Sequence, residues 1–415
     1  MVKQSQKKIA LLHYAYPPNT GGVEKVIYQQ ALFLNAHNFD VIVLTGEGKE
    51  SNANITLLQI PELQSVMNQN PNLQKKILQE GIIDSEFYKL ATTIEDKISS
   101  CLNSVTHIIV HNMMTLSWNL PFAFAFSRYI EKHPEKKVLI WVHDHMLVST
   151  KGIEGTYHPK SPLEETLLTT PIKNVTYILV SNTFKKYFCQ LMHVEQDNVV
   201  VIPNGISIPE FLNLEDSVWN FIKEKQIESS FPIIFSPVNL MERKNIEYSL
   251  ELLHDLKITY PHALYLISGH PSIHRETQSY VDLLKKKVSE LDIGVNTIFL
   301  WDIFHRTLTD SEIYSIYRIV DIIFYFSKSE NFGLPLLESA LAKTPIVTSN
   351  LEVFHEIAGK NLTAIDSNTI SVTNAASQIA HMIDENATMQ YHYTVRKEYN
   401  LETILKTYLL PLLET

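Results

Sequence analysis

At 415 residues the chain is longer than one hydrophobic core ordinarily spans, and its 45% hydrophobic content, with 18 Phe, 19 Tyr and 4 Trp, argues against disorder. A formal net charge of −10 works against broad nucleic-acid binding, and two cysteines without a CxxC spacing argue against a disulfide framework or a cysteine-rich zinc centre. The apolar run Ile9-Ala10-Leu11-Leu12 is too short for a signal peptide or a membrane span, so a cytoplasmic protein is expected.

In chain order, β-branched runs alternate with helix-period segments, the pattern of parallel α/β layers. The first half predicts strands at Ile9–His13, Val41–Thr45, Ile55–Ile60, His107–His111, Val138–His143, Tyr177–Ser181 and Val199–Ile202. Helices are predicted over Gly22–His37, the Gln74–Ser100 stretch, Ser117–Lys132 and Thr183–His193. After a link around Pro209 and a helix bearing Trp219 the pattern restarts. Strands are predicted at Ile233–Ser236, Ala263–Ser268, Thr297–Leu300, Ile322–Phe326 and Ile346–Thr348, with helices over Asn245–Thr259, His274–Leu291, Asp310–Val320 and Pro335–Ala342. The last stretch, about Asp384 to Thr415, reads as helix with no further strand before it. The expected architecture is two facing Rossmann-like doubly wound domains, with ligands at the carboxyl ends of their strands.

Three constellations carry chemistry. The first strand runs into Gly21-Gly22, where glycines at a strand-to-helix turn let backbone amides approach an anion. An isolated Gly-Gly is more readily an ordinary tight turn. The strand Val138–His143 ends in His143-Asp144-His145, whose alternate residues would share a side if the segment stays extended. Metal ligation with Asp144 is open to this cluster, while His111-Asn112, His13 and Tyr16 would line a ligand site or merely cap backbone groups at the strand ends. Finally, Ser327-Lys328-Ser329-Glu330-Asn331-Phe332-Gly333-Leu334-Pro335 follows a buried strand and opens a helix carrying Glu338. Glu330 and Glu338, eight residues apart across this junction, would bracket one ligand or would serve as a cap and a surface charge.

Glu330 and Glu338, with Phe332-Gly333-Leu334-Pro335 between them, resemble the E-x7-E motif of the retaining glycosyltransferases of family 4. Val201-Ile202-Pro203-Asn204-Gly205 resembles that family's interdomain IPNG segment. Gly21-Gly22 falls at its glycine-rich turn, and Arg243-Lys244-Asn245 at its diphosphate-binding lysine. The resemblance spans both halves in the right order. It implies a GT-B fold, with an acceptor-side domain at 1–208, a nucleotide-sugar-binding domain at 209–390 and a terminal helix at 391–415 packing back on the first domain. The implied activity is transfer of a hexose, with retention and without a metal or other cofactor, from a UDP-, GDP- or ADP-sugar to an unidentified acceptor hydroxyl. His143, Lys244 and Glu330 would be the catalytic groups. Donor binding would fall to Gly21, Gly22, Asn204, Arg243, Lys244, Glu330, Phe332, Gly333, Leu334 and Glu338.

The sequence departs from that family at Asn239, where an arginine is usual, and at Asn331, Lys343 and Ser207. Arg243 is the candidate to replace the missing guanidinium. The departures keep a non-catalytic nucleotide-sugar-binding or assembly protein as the alternative reading. Thr183-Phe184-Lys185-Lys186-Tyr187-Phe188 mixes basic and aromatic residues as interfacial helices do, which would allow peripheral membrane contact, although an ordinary amphipathic helix has the same composition.

Overall fold

The computed structural model describes residues 7–19, 21–49, 52, 54–149, 151–153, 157–269 and 275–414. Thr20, beside the glycine turn, and His274, the expected start of a helix, lie outside the described residues. By its contacts the chain forms two compact units, Met1–Gly205 with Glu402–Thr415, and Ile206–Leu401.

The first unit is built on seven parallel strands: β1 (Lys8–Ala15), β2 (Asp40–Glu47), β3 (Thr56–Gln59), β4 (His107–His111), β5 (Lys137–Val142), β6 (Val175–Leu179) and β7 (Val199–Val201). Their order is β3-β2-β1-β4-β5-β6-β7. β1 is buried at every residue after Lys8, so it reads as an unbroken apolar run rather than an alternation. Its Leu12 sits opposite Leu44 on one side and Val110 on the other. Ala10, Leu12, Ile42, Leu44, Ile108, Val110 and Ile140 share one core with apolar residues of helices α1 (Ser85–Leu102), α2 (Leu120–Lys132) and α3 (Asn182–Met192). Each fully buried aliphatic side chain there contributes about 1.5–3 kcal/mol by leaving water. On α3, the segment of interfacial composition, the aromatic residues Phe184 and Phe188 point into this core. No described helix is long and apolar enough to cross a membrane.

The second unit holds six parallel strands: β8 (Ile233–Ser236), β9 (Leu264–Ile267), β10 (Thr297–Phe299), β11 (Ile322–Tyr325), β12 (Ile346–Ser349) and β13 (Thr363–Ile365), in the order β10-β9-β8-β11-β12-β13. Both units are therefore Rossmann-like. β13 is an addition to the sequence reading: three residues beginning with an exposed Thr363 offer no period long enough to read. At the amino ends of β8 and β11, the buried Asp321 carboxylate accepts two 3.0 Å hydrogen bonds from Arg396 and one of 2.7 Å from the Ile233 amide. Burial pushes this carboxyl up, but Arg396, His392 and the amide together hold it below the usual range. Arg396 spends its other donors on the Ile319 and Ser230 carbonyls, which joins helix Ala387–Glu398 to the sheet.

The carboxyl-terminal stretch is not one helix. Val372–Glu385 and Ala387–Glu398 are separate helices, and the chain then opens so that Ile206 donates to the Tyr399 carbonyl (2.8 Å) and Leu401 to the Ile206 carbonyl (3.0 Å). Residues beyond Leu401 count with the first unit. Leu405, Leu409 and Leu413 are buried at a helical spacing of four, and Lys7 donates to the Leu413 carbonyl at 2.8 Å.

Candidate functional site

A doubly wound sheet has one place where neighbouring strands send their following connections to opposite sides, and ligands collect in the crevice beyond the carboxyl ends there. In the second unit that place lies between β8 and β11. The loop after β8 carries Arg243 and Lys244, and the loop after β11 carries Glu330. Their backbones are tied where the Lys328 amide donates to the Arg243 carbonyl at 2.7 Å. Glu330 Oε1 receives Lys244 Nζ in a short ion pair, Arg243 Nη1 at 3.0 Å and Ser327 Oγ at 2.7 Å. Burial pushes the Glu330 carboxyl up, yet Lys244, Ser327 and Arg243 outweigh it and hold the group below its ordinary range. Lys244 Nζ also lies 5.2 Å from the centre of the Tyr325 ring, a cation over an aromatic face.

These groups line an open pocket of about 550 Å³, together with Tyr325, Ser329, Asn331, Phe332, Gly333, Leu334 and Pro335. Two cations against one carboxylate leave its wall with a positive excess. Helix α4 (Leu334–Ala342) begins at the pocket, with Gly333 as its cap at φ +122° and Pro335 in its first turn. A Cβ on Gly333 would stand 3.0 Å from the Phe354 ring, so both backbone angle and space demand glycine. The orphan amides of this helix start add partial positive charge on the same side. Glu338 lies one turn further along α4, outside the pocket lining. Tyr317 Oη donates to its Oε2 at 2.7 Å. Burial and this carboxylate raise the Tyr317 hydroxyl far above its usual range, so it stays a donor.

In the first unit the corresponding place lies between β1 and β4. His111, fully buried at the end of β4, has Nδ1 3.0 Å from His143 Nε2, with the rings stacked at 5.3 Å. Burial, with a smaller push from the neighbouring His13, drives the His143 imidazole down to about 3, and His111 is driven well below its ordinary value. Both rings are therefore neutral and share one hydrogen. Asn112, at φ +58°, accepts from the amides of His143 (2.7 Å) and Asp144 (3.0 Å) and donates to the Asp144 carboxylate (3.1 Å). Asparagine is one of the few side-chain-bearing residues that adopt this conformation readily.

The strand ends at Val142 and the chain bends at His143, so alternation stops there. His143 and His145 consequently do not share a side. His145 turns into the core, where Nδ1 accepts from the Leu147 amide (3.1 Å), which makes Nε2 the donor to the Leu168 carbonyl (3.0 Å). Both its nitrogens are occupied by backbone. Among the described residues no group of three His, Cys, Asp or Glu is placed to hold a metal ion.

The glycine turn holds a carboxylate of the protein itself. Glu24, in the first turn of helix Gly22–Ala36, folds back over Gly21, where a Cβ would meet its Oε2 at 2.0 Å. Its Oε1 lies 3.6 Å from His13 Nε2, while His13 Nδ1 donates to the His111 carbonyl at 2.9 Å. The contact with His13 is the main reason the Glu24 carboxyl sits below its ordinary value. Gly21 and Gly22 are exposed, as is Asn204 beyond the end of β7.

The structure thus gathers Arg243, Lys244, Glu330, Phe332, Gly333 and Leu334 around one pocket, places Glu338 a turn away, and sets His143 in an imidazole cluster of the other unit. Sequence reasoning missed Ser327, Tyr325, Tyr317 and Glu24. Ser327 stands three residues before Glu330, but only the fold shows that its hydroxyl turns to that carboxylate.

Residues 217–398 match the protein family Glycosyl transferases group 1. That span includes the whole pocket and Glu338, and excludes His143, Gly21, Gly22 and Asn204. Over 373 residues the chain is 22% identical to the mannosylglucosylglycerate synthase of Petrotoga mobilis, an alignment covering 84% of this chain and 83% of that protein. It is 21% identical to the O-antigen chain mannosyltransferase of Salmonella typhimurium, over 63% of this chain and 71% of the other. Among solved structures, a glycosyltransferase of Rickettsia africae aligns with 99% of this chain and 98% of its own, at 17% identity and a TM-score of 0.39.

Proposed function

We propose that the chain is a GT-B glycosyltransferase that moves a hexose from a nucleotide-diphosphate sugar to an acceptor hydroxyl, with retention and without a metal. The observation that carries this reading is the meeting of Arg243, Lys244 and Glu330 beside a helix start in one pocket, inside the span that matches the glycosyl transferases group 1 family. An arriving diphosphate takes Lys244 and Arg243 from Glu330, and the released carboxylate accepts hydrogen bonds from hydroxyls of the sugar. Arg243, beside Glu330, supplies the guanidinium that Asn239 lacks.

Glu338, with one oxygen anchored by Tyr317, holds the ribose hydroxyls with the other. In the reaction the bond from the anomeric carbon to the diphosphate oxygen breaks, and its electron pair leaves on the diphosphate. The acceptor oxygen bonds to the same face, and its proton passes to the departing diphosphate. Lys244, Arg243 and the amides at the start of α4 stabilise the developing charge, so no protein nucleophile is required. His143, kept neutral by burial, carries no charge of its own and would act only through hydrogen bonds.

Two of the relatives are named for mannosyl products, which makes mannose the first donor sugar to try. The test is to incubate the protein with GDP-, UDP- and ADP-hexoses and an acceptor panel in EDTA, then to read the product's anomeric configuration by NMR. A product with the donor's configuration supports the proposal. An inverted product, or activity abolished by EDTA and restored by a divalent cation, contradicts it.

A further inference from the structure

Trp118 is the outlier among the aromatic residues near the imidazole cluster. Tryptophan is usually well covered, and Trp141 in β5 is 1% exposed, whereas Trp118 is 49% exposed. Its position is nevertheless fixed. Ser117 and Asn119 on either side are wholly buried, and Asn119 donates to the carbonyls of Glu62 (2.8 Å) and Gln64 (2.7 Å) while accepting from the Phe122 amide (3.0 Å). The Tyr14 ring packs at 5.6 Å and 42° against the indole, and the buried Tyr14 hydroxyl donates to the Leu116 carbonyl at 3.4 Å. A half-exposed apolar ring locked this firmly is arranged for contact with something outside the chain.

Its neighbours say what. Tyr14 adjoins His13 and its partner Glu24. The loop from Asn112 to Trp118 is pinned to the Asp144 segment where Thr115 Oγ1 donates to the Asp144 carbonyl (2.7 Å) and the Met146 amide to the Thr115 carbonyl (3.1 Å). Trp118 therefore stands at the same ends of β1, β4 and β5 as an exposed carboxylate, an amide and neutral imidazoles. Exposed Met67 lies on a short helix packed beside the same turn. A flat apolar face edged by hydrogen-bonding groups suits a pyranose ring, whose C–H face is apolar and whose rim is hydroxyl. An acyl chain in that place would take Asp144 and Glu24 out of water with only Asn112 and His13 beside them, which is unfavourable.

We propose that Trp118 is the stacking platform of an acceptor subsite for a pyranoside, with Met67 at its edge and Asp144 reaching the hydroxyls. The proposal rests on the glycosyltransferase reading and adds the chemical class of the acceptor.

The test uses the full chain and three probes: methyl α-glucopyranoside, methyl α-mannopyranoside and methyl α-galactopyranoside, each followed by saturation-transfer NMR. At least one should bind, with transfer strongest to the C–H protons of one ring face. W118A should weaken it by about tenfold or more, the scale of one lost aromatic stack. W118L, which keeps apolar bulk without a flat ring, should weaken it similarly, and W118F should retain most of it. Nucleotide-sugar binding should be unchanged in all three. Equal pyranoside binding by natively melting W118A or W118L overturns the proposal. Loss of phosphatidylglycerol-vesicle binding in W118A with pyranoside binding intact also overturns it, in favour of a membrane surface. If nucleotide sugars bind the wild-type chain and no methyl pyranoside does, the subsite fails alone; if neither binds, the glycosyltransferase reading fails with it.

Discussion

The two units share one strand order around their central strands yet end those strands in opposite chemistry. Between β8 and β11 the terminating residues are two cations, one carboxylate and a helix start, left open to solvent as a pocket with a positive excess. Between β1 and β4 they are imidazoles, an asparagine and the carboxylates of Asp144 and Glu24, already in contact with one another, with two rings forced neutral by burial. The fold thus supplies the crevice twice, and the residues at four strand ends decide that one crevice attracts an anion while the other offers directional hydrogen bonds with no cation among them. The first suits a diphosphate leaving group; the second suits a hydroxylated, uncharged partner.

The contrast breaks most sharply at Lys244. Lys244→Ala should cut transfer by roughly 10²–10³-fold, the usual loss when one stabilising donor at a developing anion is removed, as measured by steady-state kinetics. Glu338→Ala should weaken donor binding by about ten- to a hundredfold, since hydrogen bonds to a charged group contribute about 1.5–3 kcal/mol. Tyr317→Phe sharpens that result: it leaves the carboxylate in place but unanchored, and calorimetry should find a smaller loss. Gly333→Ala should destabilise the protein by about 1–3 kcal/mol through its φ of +122° and the Phe354 ring, which chemical denaturation will read.

The imidazole side has its own signature in pH. His143 at about 3 and His145 at about 4 in the folded protein lie below the ordinary 6.5, so the unfolded chain takes up protons first as pH falls. Their contribution to stability is complete above about pH 6.5 and is lost on acidification, down to about pH 4 for His145 and about pH 3 for His143, at about 1.4 kcal/mol per pH unit for each ring. Thermal melts should therefore fall between pH 7 and 5, and His143→Gln should flatten part of that slope. Smallest is Gly21→Ala. Its φ of −151° suits any residue, and the new Cβ meets only the movable end of Glu24, so stability should change by less than about 1 kcal/mol while the Glu24–His13 contact is lost.

Much of this was legible in the sequence because it depends on pattern. Apolar runs such as Ile9–Leu12 and Ile233–Phe235 announce strands, and Gly333-Leu334-Pro335 announces a helix start, whereas Val199–Ile202, read as covered on both faces, forms the edge strand β7 with Val200 and Val201 half-buried. The Arg243-Lys244 and Glu330 meeting was implied by the family resemblance, and the strand order supplies its physical reason, since loops after two adjacent parallel strands emerge side by side. What failed depends on where the chain stops being regular. The bend at His143 sends His145 into the core, Tyr399–Asn400 opens a helical stretch to pair with Ile206, and β13 is too short to show a period. Contacts such as Ser327 with Glu330 or Glu24 over Gly21 depend on side-chain direction, which spacing does not encode.

The measurement that bears most directly on the account is calorimetric titration of the wild-type chain and Lys244→Ala with UDP-, GDP- and ADP-hexoses, with the free nucleoside diphosphates alongside. A ligand that binds the native state also raises its melting temperature, which gives an independent readout on the same samples. The account predicts selective binding of one nucleotide sugar by the wild-type protein, sharply weakened in the variant. Absence of binding across the panel, or equal affinity in Lys244→Ala, would contradict it.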